Sequence, residues 1–201
     1  MATETETQAT DRGWKPYRLS VEQFSAMVGA GIFPDETRVE LLGGMLVERM
    51  TRHAPHNYCV IVLGRLLNRL LPAEWFVGEE KPVDLGRRCR PEPDLAVIMG
   101  PPALFRDRTP VPSEIGLLIE VSDSSYALDR GVKWRGYAAA RVPIYWIVNF
   151  SKRQVEVYRD PSGRGRSAGY RRADTFGIDA EAPVVIAGRE LGRVIVRDIL
   201  P

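Results

Sequence analysis

Two apolar stretches decide the fold: residues 94–99 have the sequence DLAVIM, and residues 116–121 have the sequence GLLIEV. Neither stretch alternates apolar and polar residues, so both are predicted to be strands that are buried on two faces of a sheet. The Pro-rich residues 100–112 between them are expected to form a loop. Residues 144–148 (IYWIV) predict a third buried strand. These patterns indicate a central sheet that is covered on both sides.

The remaining elements follow from periodicity and turn residues. A capping-box pattern at Ser20 and Gln23 begins a helix over residues 21–30, and apolar stripes predict further helices over 56–71 and 126–140. The pair Gly43-Gly44 predicts a hairpin over residues 38–49. Shorter strands are expected at 75–77, 154–158, 183–186 and 193–196. The order of elements predicts a mixed α/β fold with one central sheet flanked by helices.

Composition limits the class of protein. With 201 residues, 44% hydrophobic and 27% charged, the chain is predicted to be globular, with a disordered leader at 1–15 and a single domain at 16–201. No apolar run approaches the roughly 20 residues of a membrane helix. The two cysteines, Cys59 and Cys89, do not have the spacing of metal ligands. We expect them to be reduced thiols, as is usual in a cytoplasmic protein. A net charge of +2 permits nucleic-acid binding without requiring it.

Three acidic residues lie in predicted strands or at their ends: Glu40, Asp94 and Glu120. If the strands of Asp94 and Glu120 are neighbours, the two carboxylates converge at one sheet edge. Two carboxylates and a strand carbonyl form the hard oxygen site that Mg²⁺ or Mn²⁺ prefers. The alternatives are an exposed hairpin edge for Glu40, a turn residue for Asp94 and an ordinary salt-bridged carboxylate for Glu120.

A cation follows on the next predicted helix. Asp129, Lys133 and Tyr137 are spaced four apart and so share one helical face. Only four of the 28 basic residues are lysines, and a lysine can either lose its proton or orient a water as a compact donor. Alternatively, Lys133 lies on a solvated face beside Asp129, and Tyr137 only packs. The Arg-rich residues 159–172 either track DNA phosphates or form a solvated loop.

The segments VELLGGML, PHNYCVIVLGRLL, PEPDLAVI and LLIEVSDSSYALDRGVKWRGYAAARVPIYWIV, taken in this order, resemble the Uma-type restriction endonuclease family of the PD-(D/E)XK nuclease superfamily. The resemblance covers roughly residues 19–158. It implies a restriction endonuclease-like fold and metal-dependent hydrolysis of DNA phosphodiesters, which leaves a 5′-phosphate and a 3′-hydroxyl. Ser122 stands where the superfamily has a lysine, which the family instead has on the following helix, at the position of Lys133. Two residues depart from the family itself: Asp123 stands where a proline is usual, and Asn149 where an aspartate is common.

The resemblance also implies roles for individual residues. Asp94, Glu120 and the Val121 carbonyl would hold Mg²⁺, for which Mn²⁺ could substitute, and Lys133 would orient the attacking water. Glu40 would ligate a second metal or position Lys133. Two further residues, His56 and Tyr137, are candidates for substrate contact, although His56 could simply flank its helix. DNA and a second copy of the chain are the expected partners.

Two classes of function remain open at this point. The first is a Mg²⁺-dependent DNA endonuclease. The second is a non-catalytic homodimeric nucleic-acid-binding module on a degenerate nuclease fold, in which the three acids and Lys133 would be expendable. Serine hydrolases and metalloproteases are disfavoured. The G-x-S-x-G spacing at residues 165–169 (GRSAG) falls in a Gly/Arg-rich stretch and not at a strand-to-helix elbow, and the chain has no H-E-x-x-H motif.

Overall fold

The helices and strands follow the apolar pattern of the sequence. A computed structural model describes residues 15–34, 36–49 and 53–201, so the leader predicted at 1–15 lies, apart from Lys15, outside the described residues. The helices are α1 (Val21–Gly29), α2 (Ala54–Leu70), α3 (Tyr126–Leu128), α4 (Trp134–Ala139) and α5 (Val196–Ile199). The strands are β1 (Val39–Leu42), β2 (Met45–Glu48), β3 (Trp75–Glu79), β4 (Leu95–Met99), β5 (Ile115–Ser122), β6 (Ile144–Asn149), β7 (Gln154–Ser162), β8 (Gly169–Gly177), β9 (Glu181–Ile186) and β10 (Arg189–Ile195).

A six-stranded mixed sheet forms the centre, in the order β3-β4-β5-β6-β7-β8. Every neighbouring pair is antiparallel except β5 and β6, which are parallel. A parallel pair needs a crossover, and the helical segment from α3 to α4 supplies it. All eight residues of β5 are buried. The predicted central sheet of mixed α/β type, flanked by helices, is therefore confirmed.

Two apolar layers cover the sheet. One face of the sheet packs against α2, the β9–β10 hairpin and α5, around buried Trp146 and Leu63. The other face packs against α4 and is rich in tyrosine, with Tyr137 and Tyr145 fully buried. Glu120 belongs to this second face, because side chains alternate along β5 and Leu118 points there.

Two elements differ from the sequence prediction. The helix predicted over residues 126–140 is interrupted by a π-helical turn, Asp129–Lys133, between α3 and α4. Residues 159–172, for which one of the two interpretations was a solvated loop, instead lie largely in β7 and β8, which pair through Arg159 and Arg172. The loop interpretation was wrong because it relied on Arg and Gly content. Tyr170 is buried in the aromatic layer and anchors that part of the hairpin.

The β1–β2 hairpin is attached to the body of the fold by residues 88–94, here called the linking segment. The Gly44 N–H donates to the Arg88 carbonyl (2.7 Å), and Leu41 and Arg90 exchange two backbone hydrogen bonds of 3.2 and 2.8 Å. Gly43 and Gly44 both have positive φ, as the predicted turn requires. The linking segment thus runs from the hairpin turn to Asp94, which immediately precedes β4.

The structure has no helix, within the residues that it describes, that combines the length and apolar character needed to cross a membrane.

Candidate active site

Strand register brings Asp94 and Glu120 together. Leu95 pairs with Ile119 across the antiparallel β4–β5 ladder, so the next pair along is Asp94 and Glu120. Directly opposed residues point to the same side of a sheet, which explains their proximity. Asp94 is 2% exposed and Glu120 is 1% exposed. The Val121 N–H donates to Asp94 Oδ2 at 2.7 Å and fixes that carboxylate against β5.

Glu40 reaches the same place from β1. Its side chain is fully buried, so it does not lie on an exposed hairpin edge. Glu40 Oε1 accepts hydrogen bonds from the Glu92 N–H (2.8 Å) and from Lys133 Nζ (3.1 Å). The linking segment therefore positions the third carboxylate as well as Asp94.

Lys133 is buried among carboxylates and does not lie on a solvated helix face. Its Nζ donates to Glu120 Oε1 at 3.0 Å and lies 3.9 Å from Asp129 Oδ1. The Trp134 N–H reaches back to the Asp129 carbonyl, which closes the wide turn that carries both side chains into the site. Burial alone would lower the pKa of Lys133, but the carboxylates of Glu120, Glu40 and Asp129 raise it. Of the two roles open to Lys133, this favours a protonated donor.

His56 and Tyr137 complete the cluster. His56 lies in the first turn of α2, and its Nε2 is 3.1 Å from Asp94 Oδ2. The Tyr137 hydroxyl donates to Glu120 Oε1 at 2.5 Å from a fully buried position in α4. Hydrogen bonds thus connect Glu40, Lys133, Glu120 and Tyr137 in one group and Asp94 with His56 in another. All of the six side chains proposed from the sequence except that of Tyr137 line one pocket.

Two further side chains belong to the site but were not chosen from the sequence. Arg49, which follows β2, donates from Nη2 to Asp94 Oδ1 at 2.8 Å and places Nε 3.6 Å from Glu40 Oε1. Ser122 stands at the position of the superfamily lysine, and its hydroxyl donates to Asp129 Oδ2 at 2.6 Å. Ser122 could have been found from the sequence, because it is a polar residue at the end of a wholly buried strand. Arg49 could not, because an arginine at the end of a hairpin is common and indicates no particular role.

The carboxylates of the site have shifted pKa values in opposite directions. Burial, reinforced by Asp94, Asp129 and Glu40, raises the pKa of Glu120 to about 8, although Lys133 opposes the shift. Burial would also raise the pKa of Asp94, but His56, Arg49 and the Val121 N–H together lower it. Asp94 therefore loses its proton more readily than an ordinary aspartic acid, and Glu120 loses its proton less readily than an ordinary glutamic acid.

The charges of the pocket fit a divalent cation. Its volume is about 310 Å³. The pocket contains two cationic side chains, Arg49 and Lys133. It contains four buried carboxyl groups, those of Glu40, Asp94, Glu120 and Asp129. Glu40 Oε2 is buried without a hydrogen-bond partner within the described part of the chain. An unsatisfied buried carboxylate oxygen costs free energy, and a hard cation is the ligand that suits it.

These side chains have the chemistry of a metal site, but they are not arranged in the structure as the ligands of one metal ion would be. Within the described ranges, no three His, Cys, Asp or Glu side chains form a group that could hold a metal ion as they stand. The Arg49 guanidinium contacts Asp94 Oδ1, and Lys133 and Tyr137 both bind Glu120 Oε1. The donor set therefore fits Mg²⁺ in chemistry and charge, and binding would require Arg49 to release Asp94.

The fold and the pocket define a mixed α/β protein with buried carboxyl groups beside its central sheet, and comparison with known proteins gives the family. Residues 21–188 match the family Uma2, described as "Putative restriction endonuclease". The chain belongs to this family. The solved structure of a "putative nuclease belonging to DUF820" from Anabaena variabilis is similar in fold, with a TM-score of 0.67 at 14% identity over 92% of this chain and 97% of that one. No curated protein matches the sequence.

Proposed function

We propose that this protein is a Mg²⁺-dependent DNA endonuclease that hydrolyses phosphodiester bonds. The observation that carries the proposal is the convergence of Glu40, Asp94 and Glu120 with Lys133 in one buried pocket. Burying four charged or titratable groups is costly, and such groups concentrate where chemistry requires them. Membership of the Uma2 family supports the same reaction class.

Asp94, Glu120 and the Val121 carbonyl would hold the metal. When bound, Mg²⁺ polarises a phosphoryl oxygen and lowers the pKa of a coordinated water. The low pKa of Asp94 keeps one carboxylate ionised for this purpose at neutral pH. Glu120 would give up its proton on binding, because a nearby divalent cation favours the carboxylate.

Lys133 would act on the reacting groups as a fixed donor. Protonated Lys133 orients the attacking water and offsets the charge that develops on the phosphate. Glu40 holds Lys133 in place through the contact of 3.1 Å. Tyr137 and His56 each bind one of the two central carboxylates and would fix it in place. Of the two, His56 lines the pocket and would face the substrate, whereas Tyr137 is fully buried behind Glu120.

The test is cleavage of supercoiled plasmid and linear duplex DNA in Mg²⁺ or Mn²⁺, with EDTA as the metal-free arm. Asp94→Asn, Glu120→Gln and Lys133→Met should each lower the cleavage rate by about 100-fold or more, as loss of a preorganised electrostatic group does. Asp198→Asn is the matched control, because Asp198 is exposed on α5 and does not line the pocket. Cleavage that survives in Asp94→Asn or in EDTA would contradict the proposal.

A second candidate function is the non-catalytic nucleic-acid-binding module. It is favoured by one observation: the Arg49 guanidinium occupies Asp94 Oδ1, the oxygen that a metal would need. On this alternative, wild-type protein binds DNA, shows no metal-dependent cleavage, and binds DNA equally well after Asp94→Asn.

The homodimer also stays a prediction. Cutting both strands of a duplex needs two sites, which two copies of the chain would supply. Sedimentation of the full chain, with and without duplex DNA, measures its mass directly: a dimer is expected in at least one of these conditions.

A further inference from the structure

A second cavity lies at the opposite end of the linking segment from the acidic pocket. It has a volume of about 600 Å³. Its lining comes from the chain before α1, from the first turn of α1 and from the start of the linking segment, namely Lys15, Pro16, Tyr17, Arg18, Ser20, Gln23, Arg87 and Arg88. Four of these eight residues are cations, and no carboxylate of the described residues lines the cavity.

Backbone hydrogen bonds hold the three parts of this cavity together. The Leu19 N–H donates to the Gly44 carbonyl (2.9 Å), and the Val21 N–H donates to the Arg87 carbonyl (2.8 Å). Gly44 packs so closely on the chain before α1 that a Cβ there would lie 2.8 Å from Arg18 Cβ. The cavity is thus a built feature of the fold, since its walls depend on main-chain contacts that side-chain changes leave in place.

The cationic side chains of this cavity face solvent. Lys15, Arg87 and Arg88 are exposed. Glu22, on the first turn of α1, is an acidic residue close enough to interact with Arg87. A hydrogen bond from Ser20 and, to a smaller extent, the charge of Arg87 lower the pKa of Glu22. Because solvated cations contribute little to stability, folding does not explain why three exposed cations gather beside the half-buried Arg18 around one cavity.

Tyr17 adds an aromatic surface at the rim. It is 74% exposed, and its hydroxyl accepts a hydrogen bond from Gln23 Nε2 at 2.6 Å, which fixes the ring beside the cations. Arginine forks match phosphate oxygens, and exposed aromatic rings pack on sugars and bases. This combination is typical of a surface that holds a nucleic-acid backbone.

We propose that this cavity, lined by Lys15, Arg18, Arg87 and Arg88, binds backbone phosphates of the DNA duplex whose scissile bond enters the acidic pocket. The inference rests on the proposed function for its choice of DNA. It adds a phosphate site outside the candidate active site, which fixes where the duplex runs across the protein.

The linking segment sets the spacing between the two sites. Six residue steps separate Arg88 from Asp94, and an extended chain covers at most about 20 Å in that length. One strand of duplex DNA advances about 3.4 Å per nucleotide along the helix axis. The bound phosphates would therefore lie at most about six nucleotides, or half a helical turn, from the cleaved bond, on the side of the hairpin turn.

The experiment measures binding of a fluorescent 30-base-pair duplex by anisotropy in EDTA, across a range of salt concentrations, so that no cleavage occurs. The double variant Arg87→Ala/Arg88→Ala should flatten the plot of log K against log salt by about two, since each lost phosphate contact removes about 0.9. The affinity near 0.1 M salt should fall on the order of 10- to 100-fold. The variant Arg87→Lys/Arg88→Lys should keep most of the slope.

The control is Arg65→Ala/Arg69→Ala, which removes two exposed arginines from α2. An equal loss in the control, or an unchanged slope in Arg87→Ala/Arg88→Ala, would overturn the proposed phosphate site. No binding by the wild-type protein would overturn it as well, and so would a duplex RNA that binds more tightly than the DNA.

The cleavage assay keeps this result separate from the proposed function. If wild-type protein cleaves DNA and the double variant binds with an unchanged slope, only the phosphate site fails. If the slope falls as expected and no cleavage occurs with metal, the phosphate site stands and the nuclease proposal fails.

Discussion

The two ends of the linking segment treat charge in opposite ways. At Asp94 the charged groups are buried, and Arg49 and Lys133 contact the carboxylates directly. At Arg88 three of the four cations, Lys15, Arg87 and Arg88, are exposed. Burying the charged groups of the acidic pocket costs free energy of folding, whereas the exposed cations of the basic cavity cost almost none. Substitutions at the two ends should therefore have very different effects on stability.

The largest effect is expected at Lys133. Lys133→Met leaves Glu40 and Glu120 buried beside each other without their shared cation. Breaking one partner of a buried ion pair costs roughly 3–5 kcal/mol, so the free energy of unfolding in urea should fall by that amount. The control Lys152→Met removes an exposed lysine and should change it by less than about 0.5 kcal/mol. Similar losses in the two variants would contradict the contrast.

A smaller loss is expected at Arg49. Arg49→Met removes the contact of 2.8 Å to Asp94, but Asp94 keeps the Val121 N–H and His56. Hydrogen bonds to charged groups contribute about 1.5–3 kcal/mol, and the metal-free protein should lose stability in this range. The same substitution frees Asp94 Oδ1, so the stabilisation by saturating Mn²⁺ in thermal unfolding should be larger than for wild type. Unchanged stabilisation by Mn²⁺ would mean that Arg49 does not compete with the metal.

The pH dependence of stability should reveal Glu120. Its pKa in the folded protein, about 8, lies above the ordinary value of 4.5, chiefly because the carboxyl is buried. Between these two values the folded protein holds a proton that the unfolded chain has released. The contribution of Glu120 to stability therefore falls as pH rises through this window, by at most about 1.4 kcal/mol per pH unit. It is fully present only below the unfolded pKa.

Glu120→Gln removes this titration because glutamine stays neutral. The difference in free energy of unfolding between wild type and Glu120→Gln should fall steadily from about pH 5 to about pH 8, the interval that the two pKa values bracket. A difference that is constant over this range would show that Glu120 is ionised in the folded protein throughout. Asp94 has the opposite sign: its lowered pKa adds stability that is lost as pH falls below its unfolded value.

The smallest effect on stability is expected at the basic cavity. Arg87→Ala/Arg88→Ala should leave the free energy of unfolding within about 0.5 kcal/mol of wild type, because both side chains are exposed and the main-chain contacts of the cavity remain. Urea denaturation checks this in the same series as Lys133→Met. A loss of several kcal/mol would place these arginines among the groups that hold the fold together.

The same comparison shows what the sequence could and could not predict. Asp94 and Glu120 interrupt or border apolar strands, and helical spacing placed Lys133 and Tyr137 on one face, so local patterns sufficed for these residues. Arg49 was missed because its role depends on the hairpin folding over the linking segment, a contact between residues 45 apart in the chain. No periodicity reports such a contact.

The basic cavity was missed for a related reason. Its lining comes from residues 15–23 and from residues 87–88, which the hairpin turn at Gly44 brings together. In a chain with 28 basic residues, none of these short stretches stands out. The β7–β8 hairpin was missed for the same reason. Its Arg and Gly content indicates a loop, and the alternation of buried and exposed residues in its strands becomes informative only once its tyrosines are known to be buried.

The most direct test of the central claim is calorimetric titration of Mn²⁺ into the metal-free protein, beside Asp94→Asn, Glu120→Gln and the exposed control Asp198→Asn. The account predicts saturable binding by wild type and Asp198→Asn, with release of protons near neutral pH, and loss of that binding in Asp94→Asn and Glu120→Gln. Equal binding by all four proteins, or none by the wild type, would contradict the assignment of Asp94 and Glu120 as metal ligands.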